Sequence, residues 1–555
     1  MVRHGREQGK TMKKGILVAT GVATLAWTAI SLAAITGPVR VESGLLTGTP
    51  GTDASVTAFK GVPYAAPPLG ALRWKAPQPP LPWKGERKAE QFGPICPQGV
   101  ANGQGGLGQV DGLKMSEDCL FVNIWTGASS PRERRPVMVW FHGAGPNQAG
   151  SLPLYGGENL AKKGVIVVTV DYRLGVLAGL STAELSKESG HNASGNYNLM
   201  DGIAALKWIR KNIAAFGGDP DNVTLFGQSF GAGFQHRLSM SPLAKGLFKR
   251  MILQSHARYP RDPVIMEVAT GYQTREQGEE AGKRFMERLG VNSLAELRAL
   301  PVEKLLQGGA GGGSMVDGYV VPRNYSDTYA AGTQNNVLVI AGVNQDETGA
   351  APDTAFERFA ARAGGAGNRG GGNGVPQAVA NVAGLQTFAT RQFGLMADQY
   401  MKLYPAATDQ EAFRQHNETV RDNARISLWM WATAWRAKAT QPVYLYYWTH
   451  APPGRNHDST GAYHGSEIAY AFNNASPPNE PWMAEDVRIG DIMSSYWSNF
   501  AKNGNPNGPG LPQWNAFDGR TGEVMELGDH FRAIPLAEPA KVDFWKRFYE
   551  TQPAH

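Results

Sequence analysis

The sequence predicts an α/β fold around a sheet buried on both faces, and three observations lead there. Val223 to Phe226 is a short β-branched and apolar run that breaks into Gly227-Gln228-Ser229-Phe230-Gly231 and then into small residues able to open a helix, which is the order strand, tight turn, helix. Pro136 to Phe141 (PVMVWF) and Gly164 to Asp171 (GVIVVTVD) are near-continuous apolar runs flanked by turn residues, as expected of strands with no solvent-facing side. Asn196 to Gly217 repeats Leu199, Ile203, Leu206, Ile209, Ile213 and Phe216 at the helical period, and Gly217-Gly218-Asp219-Pro220 ends the run. Further strands are expected at Met251 to Gln254, Val337 to Val343 and Val443 to Tyr447, separated by helical patterns.

The chain opens with Arg3, Arg6, Lys10, Lys13 and Lys14 against the single Glu7, followed by Gly15 to Val39 without a charge. A basic region, an apolar run and the small-residue sites Ser31-Leu32-Ala33 or Leu32-Ala33-Ala34 read as a secretory signal peptide over residues 1–36. The run is long for that role, and an uncleaved membrane anchor is the structural rival. Removing the segment lowers the formal net charge from +6 to about +2. The remaining charge points to no polyanionic partner, and no basic cluster interleaved with aromatics follows, so nucleic-acid binding is not expected. No second apolar run is long enough to span a bilayer, so the rest is read as free of the membrane after signal cleavage.

Residues 37–555 are read as one domain, because no linker-like break or internal repeat divides them and the chain, 42% hydrophobic, can bury a large core. The Gly-rich stretches Gln307 to Ser314 and Ala363 to Pro376 are too short to link domains and read as flexible loops. Cys96 and Cys119 are the only cysteines. In an exported protein such a pair is most simply a disulfide. Two thiols without nearby histidine fall short of a zinc site. The sequence therefore implies no metal and no cofactor. A phosphate-binding reading of Gly309 to Ser314 fails, since neither a preceding strand nor the lysine of a phosphate loop accompanies it.

The chemistry centres on Ser229. A serine on a strand-to-helix turn presents its hydroxyl at the end of a sheet, Gly227 and Gly231 make room for the neighbouring backbone, and the following helix aims its first N–H groups at charge developing there. A hydroxyl needs an imidazole to take its proton, and the imidazole needs a carboxylate to hold its tautomer. Among eleven histidines, His464 is favoured by its place in the turn Gly461 to Glu467, beyond the Val443 strand. Asn344-Gln345-Asp346-Glu347 follows the Val337 strand, and chemistry alone does not rank Asp346, Glu347 and Asp317 as the acid. His142-Gly143-Ala144-Gly145-Pro146, just past another strand, is Gly-rich backbone of the kind that forms an oxyanion hole.

The chain resembles the type-B carboxylesterases, the cholinesterase-like branch of the α/β-hydrolases. The resemblance runs from about Pro38 to Tyr549 and rests on Ala58-Phe59-Lys60-Gly61-Val62-Pro63-Tyr64-Ala65, Leu72-Arg73-Trp74, Ser116-Glu117-Asp118-Cys119-Leu120, Asp171-Tyr172-Arg173-Leu174-Gly175, Phe216-Gly217-Gly218-Asp219-Pro220 and Tyr496 to Lys502. It implies an α/β-hydrolase fold with a large mostly parallel central sheet flanked by helices, the active site lying at the carboxyl ends of the strands. It further implies Ser229 as nucleophile, Glu347 as acid and His464 as base. The N–H groups of Ala144, Gly145 and Phe230 become the oxyanion donors, and Cys96–Cys119 becomes the first disulfide of the family.

The departures from the family pattern are specific. Ala144 stands among what are usually three glycines, Pro146 replaces an aromatic or similar residue, Phe230 replaces alanine, and Gln228 replaces a common glutamate. Pro97 to Asp118 contains no aromatic residue, so the cation-binding tryptophan of cholinesterases has no counterpart there. The expectation is an exported serine carboxylesterase, secreted or periplasmic, acting on uncharged, at least partly apolar small-molecule esters, with Gln228 and Phe230 contacting substrate. A non-catalytic adhesion protein on the same scaffold is the alternative; such relatives are expected to lack a triad residue, and none is lacking here.

Overall fold

The apolar runs pair into one eleven-stranded sheet in the computed structural model, which describes residues 34–35, 37–98, 114–143, 148–263, 272–309, 314–363, 379–454, 457–475 and 481–554. In chain order its strands are β1 (Thr49–Pro50), β2 (Thr57–Pro63), β3 (Phe121–Thr126), β4 (Arg135–Phe141), β5 (Ile166–Val170), β6 (Gly218–Gln228), β7 (Arg250–Gln254), β8 (Leu338–Asn344), β9 (Val443–Trp448), β10 (Glu523–Leu527) and β11 (Arg532–Pro535). Across the sheet the order is β11-β10-β9-β8-β7-β6-β4-β5-β3-β2-β1. Every pairing from β10 through β5 is parallel, and the pairings at both margins are antiparallel. The expected α/β-hydrolase fold is therefore the observed one.

Alternation within the strands explains why they read as continuous apolar runs. Val137, Val139 and Phe141 enter one core with the helices α1 (Tyr197–Asn212), α2 (Phe230–Met240), α3 (Asp409–Arg436) and α5 (Pro539–Glu550), while Met138 and Trp140 enter a second core against α4 (Ala484–Asn503). Ile489, Met493, Trp497 and Phe500 make the buried stripe of α4 at helical spacing. Trp140 is completely buried among Tyr155, Phe226 and Phe472, and its truncation to alanine is expected to cost about 3–5 kcal/mol.

Two boundaries differ from the sequence expectation. The helix over residues 196–217 stops at Asn212 and tightens into a 3-10 turn, Ile213–Phe216, before Gly217 reverses the chain at φ +81°. A β-carbon on Gly217 would also lie 2.4 Å from that of Ala128. The strand expected from Val223 begins at Gly218, because Gly218 pairs with Arg135 across an irregularity in the β4·β6 register that the polar segment Asp219 to Asn222 conceals.

The chain runs from β4 to β5 on one side and returns to place β6 on the other, so the carboxyl ends of β4 and β6 lie together, Phe141 opposite Gly227. In parallel sheets such a reversal opens a crevice beyond the strand ends. The Gly-rich stretches fall largely outside the described residues, as do residues 1–33 and with them most of the signal segment.

Candidate active site

Ser229 lies at the carboxyl end of β6 with φ +57° and ψ −123°, a conformation that side chains rarely adopt and that costs on the order of 1–3 kcal/mol. Its surroundings hold it there. The Ser229 N–H donates to the Gln254 carbonyl at 2.8 Å, and its own carbonyl accepts from Gly233 N–H at 3.0 Å inside α2. A β-carbon on Gly231 would lie 2.0 Å from the Phe141 carbonyl oxygen and 2.5 Å from that of His142, and one on Gly227 would lie 2.5 Å from the Phe141 oxygen. Both glycines are thus required by the approach of β4.

The acid and the imidazole meet beyond β8 and β9. Asp346 and Tyr463 form an isolated parallel bridge that ties the two turns together. Glu347 then points to the imidazole: its Oε2 is 2.6 Å from His464 Nδ1, while its Oε1 accepts from the Asn344 N–H at 3.1 Å and lies 3.7 Å from Arg258 Nη2. Asp346 is engaged elsewhere, accepting from Arg421 Nη2 at 2.6 Å and from the Ala462 N–H at 2.9 Å. Asp317 accepts the N–H groups of Tyr319 and Val321 in a separate turn. Geometry separates three carboxylates that residue chemistry left equal.

Electrostatics follow the geometry. Burial disfavours the charge of Glu347, but the His464 bond, the charges of His464 and Arg258 and the Asn344 N–H outweigh it and hold the carboxyl below its usual range. Loss of water disfavours the His464 imidazolium, yet the bond and charge of Glu347, with the charge of Glu467 behind, hold it above the ordinary imidazole value. The His464 side chain is 47% open to solvent, which tempers that desolvation. Glu467 is wholly buried, bonded by Asn344 Nδ2 at 2.6 Å and Gln254 Nε2 at 3.2 Å, and burial pushes its carboxyl up. Nothing in the spacing of Gly461 to Glu467 marks this second carboxylate, although it stands three residues beyond the histidine.

The other nitrogen of His464, Nε2, faces Gln228 Nε2 at 3.1 Å. Among the described residues no hydrogen bond joins that nitrogen to Ser229, and such bonds often close only around substrate. With Nδ1–H donated to Glu347, Nε2 is an acceptor and the Gln228 amide its donor. Gln228 is nearly inaccessible, so the structure places its amide on the imidazole.

The segment just past β4 is held by packing at His142. His142 is buried, its ring stacked on Tyr172 at 4.3 Å, and Tyr172 OH donates to the His142 carbonyl at 2.6 Å. Burial depresses the His142 imidazole to about 4, so it stays neutral. The position of a β-carbon on Gly143 is 3.7 Å from that of Ser229, which brings Gly143 beside the serine. Ala144, Gly145 and Pro146 lie outside the described residues. Phe230 is half-buried at the first position of α2, packed on the core with its ring 4.8 Å from the guanidinium of Arg237. Cys96 and Cys119 are joined in a disulfide, and most of the loop they enclose, residues 99–113, lies outside the described residues. Among the described residues no group of histidine, cysteine, aspartate and glutamate could hold a metal ion, and no helix is long and apolar enough to cross a membrane.

Comparison with known proteins agrees with this architecture. A profile of the Carboxylesterase family matches residues 36–545. The chain is 32% identical over 539 residues to fumonisin B1 esterase of Sphingopyxis macrogoltabida, covering 92% of each protein. It is 31% identical to cocaine esterase of Homo sapiens, covering 91% of this chain and 89% of that one. A solved PNB esterase superposes with a TM-score of 0.69 at 29% identity, over 91% of this chain and 99% of its own. The chain belongs to the carboxylesterase family, and it is a carboxylic ester hydrolase.

Proposed function

We propose that the enzyme cleaves esters in two half-reactions through an acyl-enzyme on Ser229, with His464 as base and Glu347 as the acid of the triad. His464 takes the Ser229 proton as the oxygen attacks the ester carbonyl, then gives it to the departing alcohol; water repeats the sequence and releases the acid. The carbonyl oxygen, negative in the tetrahedral intermediate, is received by the N–H groups of Ala144, Gly145 and Phe230 at the start of α2.

The observation that carries this reading is the 2.6 Å bond from His464 Nδ1–H to Glu347, which turns Nε2 toward Gln228, the residue before a serine held in a strained turn, where Nε2 can act as base once the Gln228 contact gives way to the serine hydroxyl. Ester substrates are uncharged and at least partly apolar, because Gln228 stands where a glutamate would offer charge and Pro97 to Asp118 holds no aromatic residue to stack on a cation. Phe230 borders the reacting carbonyl, and Gln228, buried against His464, acts on it through the imidazole. Residues 37–555 act as one catalytic domain, exported by residues 1–36 to the periplasm or the exterior.

Fluorophosphonate labelling of purified protein tests the proposal. Native enzyme is expected to label stoichiometrically, and Ser229→Ala is expected not to label and to lose turnover of an activated aryl ester by several orders of magnitude. Labelling that persists in Ser229→Ala would reject it.

A further inference from the structure

Arg237 is buried in the first core with only 7% of its surface exposed, yet no carboxylate or other acceptor among the described residues answers it. Its Nε is sealed from solvent without a partner. A buried, unpaired guanidinium is costly, since ions leave water only when something replaces the lost hydration. Other buried guanidinium groups have acceptors: Arg173 is bound by Asp201, Arg73 by Glu117, and Arg250 by the Asn222 side chain and the Ala501 carbonyl.

The position of Arg237 is not arbitrary. It sits two turns along α2 from Phe230, and helical side chains lean toward the N-terminus. Its guanidinium accordingly reaches back to 4.8 Å from the Phe230 ring, next to the nucleophile. Around it stand Tyr272, Tyr325, His236 and His256, neutral groups that all feel its charge. Burial first, and Arg237 second, depress the His236 imidazole to about 3, so neither histidine nor tyrosine supplies the missing anion.

The two flanks of Ser229 differ. Gln228, before it, touches His464, and Phe230, after it, covers Arg237. The departing alcohol must be protonated by His464 and so leaves on the Gln228 flank. What extends over the Phe230 flank is the acyl group.

We propose that Arg237, behind the Phe230 ring, is an anion subsite for the acyl group, and that the enzyme acts on monoesters of dicarboxylic acids, whose free carboxylate pairs with this guanidinium. The proposal rests on Ser229 as nucleophile and changes the expected substrate from wholly uncharged to anionic on the acyl side. The reaction is unchanged: water replaces the alcohol at the carbonyl, and the product is the diacid.

The test compares monomethyl succinate, glutarate and adipate with methyl esters of monoacids of matching length. Native enzyme is expected to favour the best anionic ester in kcat/KM by roughly ten- to hundredfold, mainly through KM, the worth of one charge-assisted hydrogen bond. Arg237→Met is expected to collapse that ratio toward one, and Arg237→Lys to keep part of it. Should Arg237→Met fold poorly, competitive inhibition of native enzyme gives the answer without it: glutarate is expected to bind roughly tenfold more tightly than glutaramide. Equal binding, a preference for neutral esters, or a ratio that survives Arg237→Met would overturn the subsite. A protein that labels with fluorophosphonate and hydrolyses only neutral esters would overturn this inference alone; one that neither labels nor turns over any ester would overturn the triad as well.

Discussion

The side-chain amide of Gln228 lies 3.1 Å from Nε2 of His464, on the nitrogen that would have to take the Ser229 proton. An amide can donate to neutral imidazole and, turned over, accept from imidazolium, so it serves both protonation states without favouring one by charge. A carboxylate in its place accepts only and favours the charged ring. Gln228→Glu is therefore expected to raise the His464 pKa and to move the acidic limb of the kcat/KM profile up by roughly one pH unit. A limb that does not move would show that the contact has no influence on the base.

Glu347 and Asp346 are adjacent in sequence and face different partners, His464 and Arg421. Glu347→Gln is expected to lower kcat by roughly two to four orders of magnitude, because the wrong tautomer of His464 is then favoured. The sign of the pH effect is also set. His464 must be neutral to act, so activity falls as pH drops through its pKa, and that pKa is held up by the bond and charge of Glu347 against burial. Removing the charge leaves burial to lower it, and the acidic limb moves to lower pH. Asp346→Asn weakens the Arg421 bridge and the Ala462 contact instead. It is expected to lower Tm more than kcat, and the reverse pattern would reassign the acid.

Gly231→Ala is expected to cost about 3 kcal/mol or more, because its methyl would overlap backbone carbonyls of β4 that cannot move without disturbing the sheet. Thermal melting and the yield of folded protein measure it. A variant that melts like the native protein would mean that the β4–β6 contact is looser than described.

Phe230→Ala is expected to raise the ratio of kcat/KM for bulky over small esters, since the ring is half-buried directly after Ser229. An unchanged ratio with Tm lower by several degrees would make it a core residue only.

Reducing the Cys96–Cys119 bond, or replacing both cysteines by serine, is expected to cost roughly 3 kcal/mol of stability through the freedom restored to the unfolded chain. Equal Tm with and without reductant would mean that the unfolded chain is already constrained there.

What the sequence determined by itself is local chemistry. Val137 to Phe141 reads as a strand with two buried faces, and Gly227-Gln228-Ser229-Phe230-Gly231 reads as a crowded turn once the strand Val223 to Phe226 is taken with it, because those requirements are carried by neighbours along the chain. The beginning of β6 at Gly218 was hidden, since Asp219 to Asn222 lack a strand pattern and it is Gly218, ahead of them, that pairs with Arg135. The meeting of Glu347 with His464 depends on the bridge between Asp346 and Tyr463, residues far apart in the chain whose pairing turns one carboxylate inward and the other toward Arg421. Residue chemistry ranked neither acid, and only the family resemblance favoured Glu347. The contact of Gln228 with the imidazole, the burial of Glu467 behind it and the charge of Arg237 beneath Phe230, unanswered among the described residues, were likewise decided by tertiary structure. The physical reason is that what a side chain faces across a crevice, and how much water it loses there, are set by strands and helices brought together from distant parts of the chain.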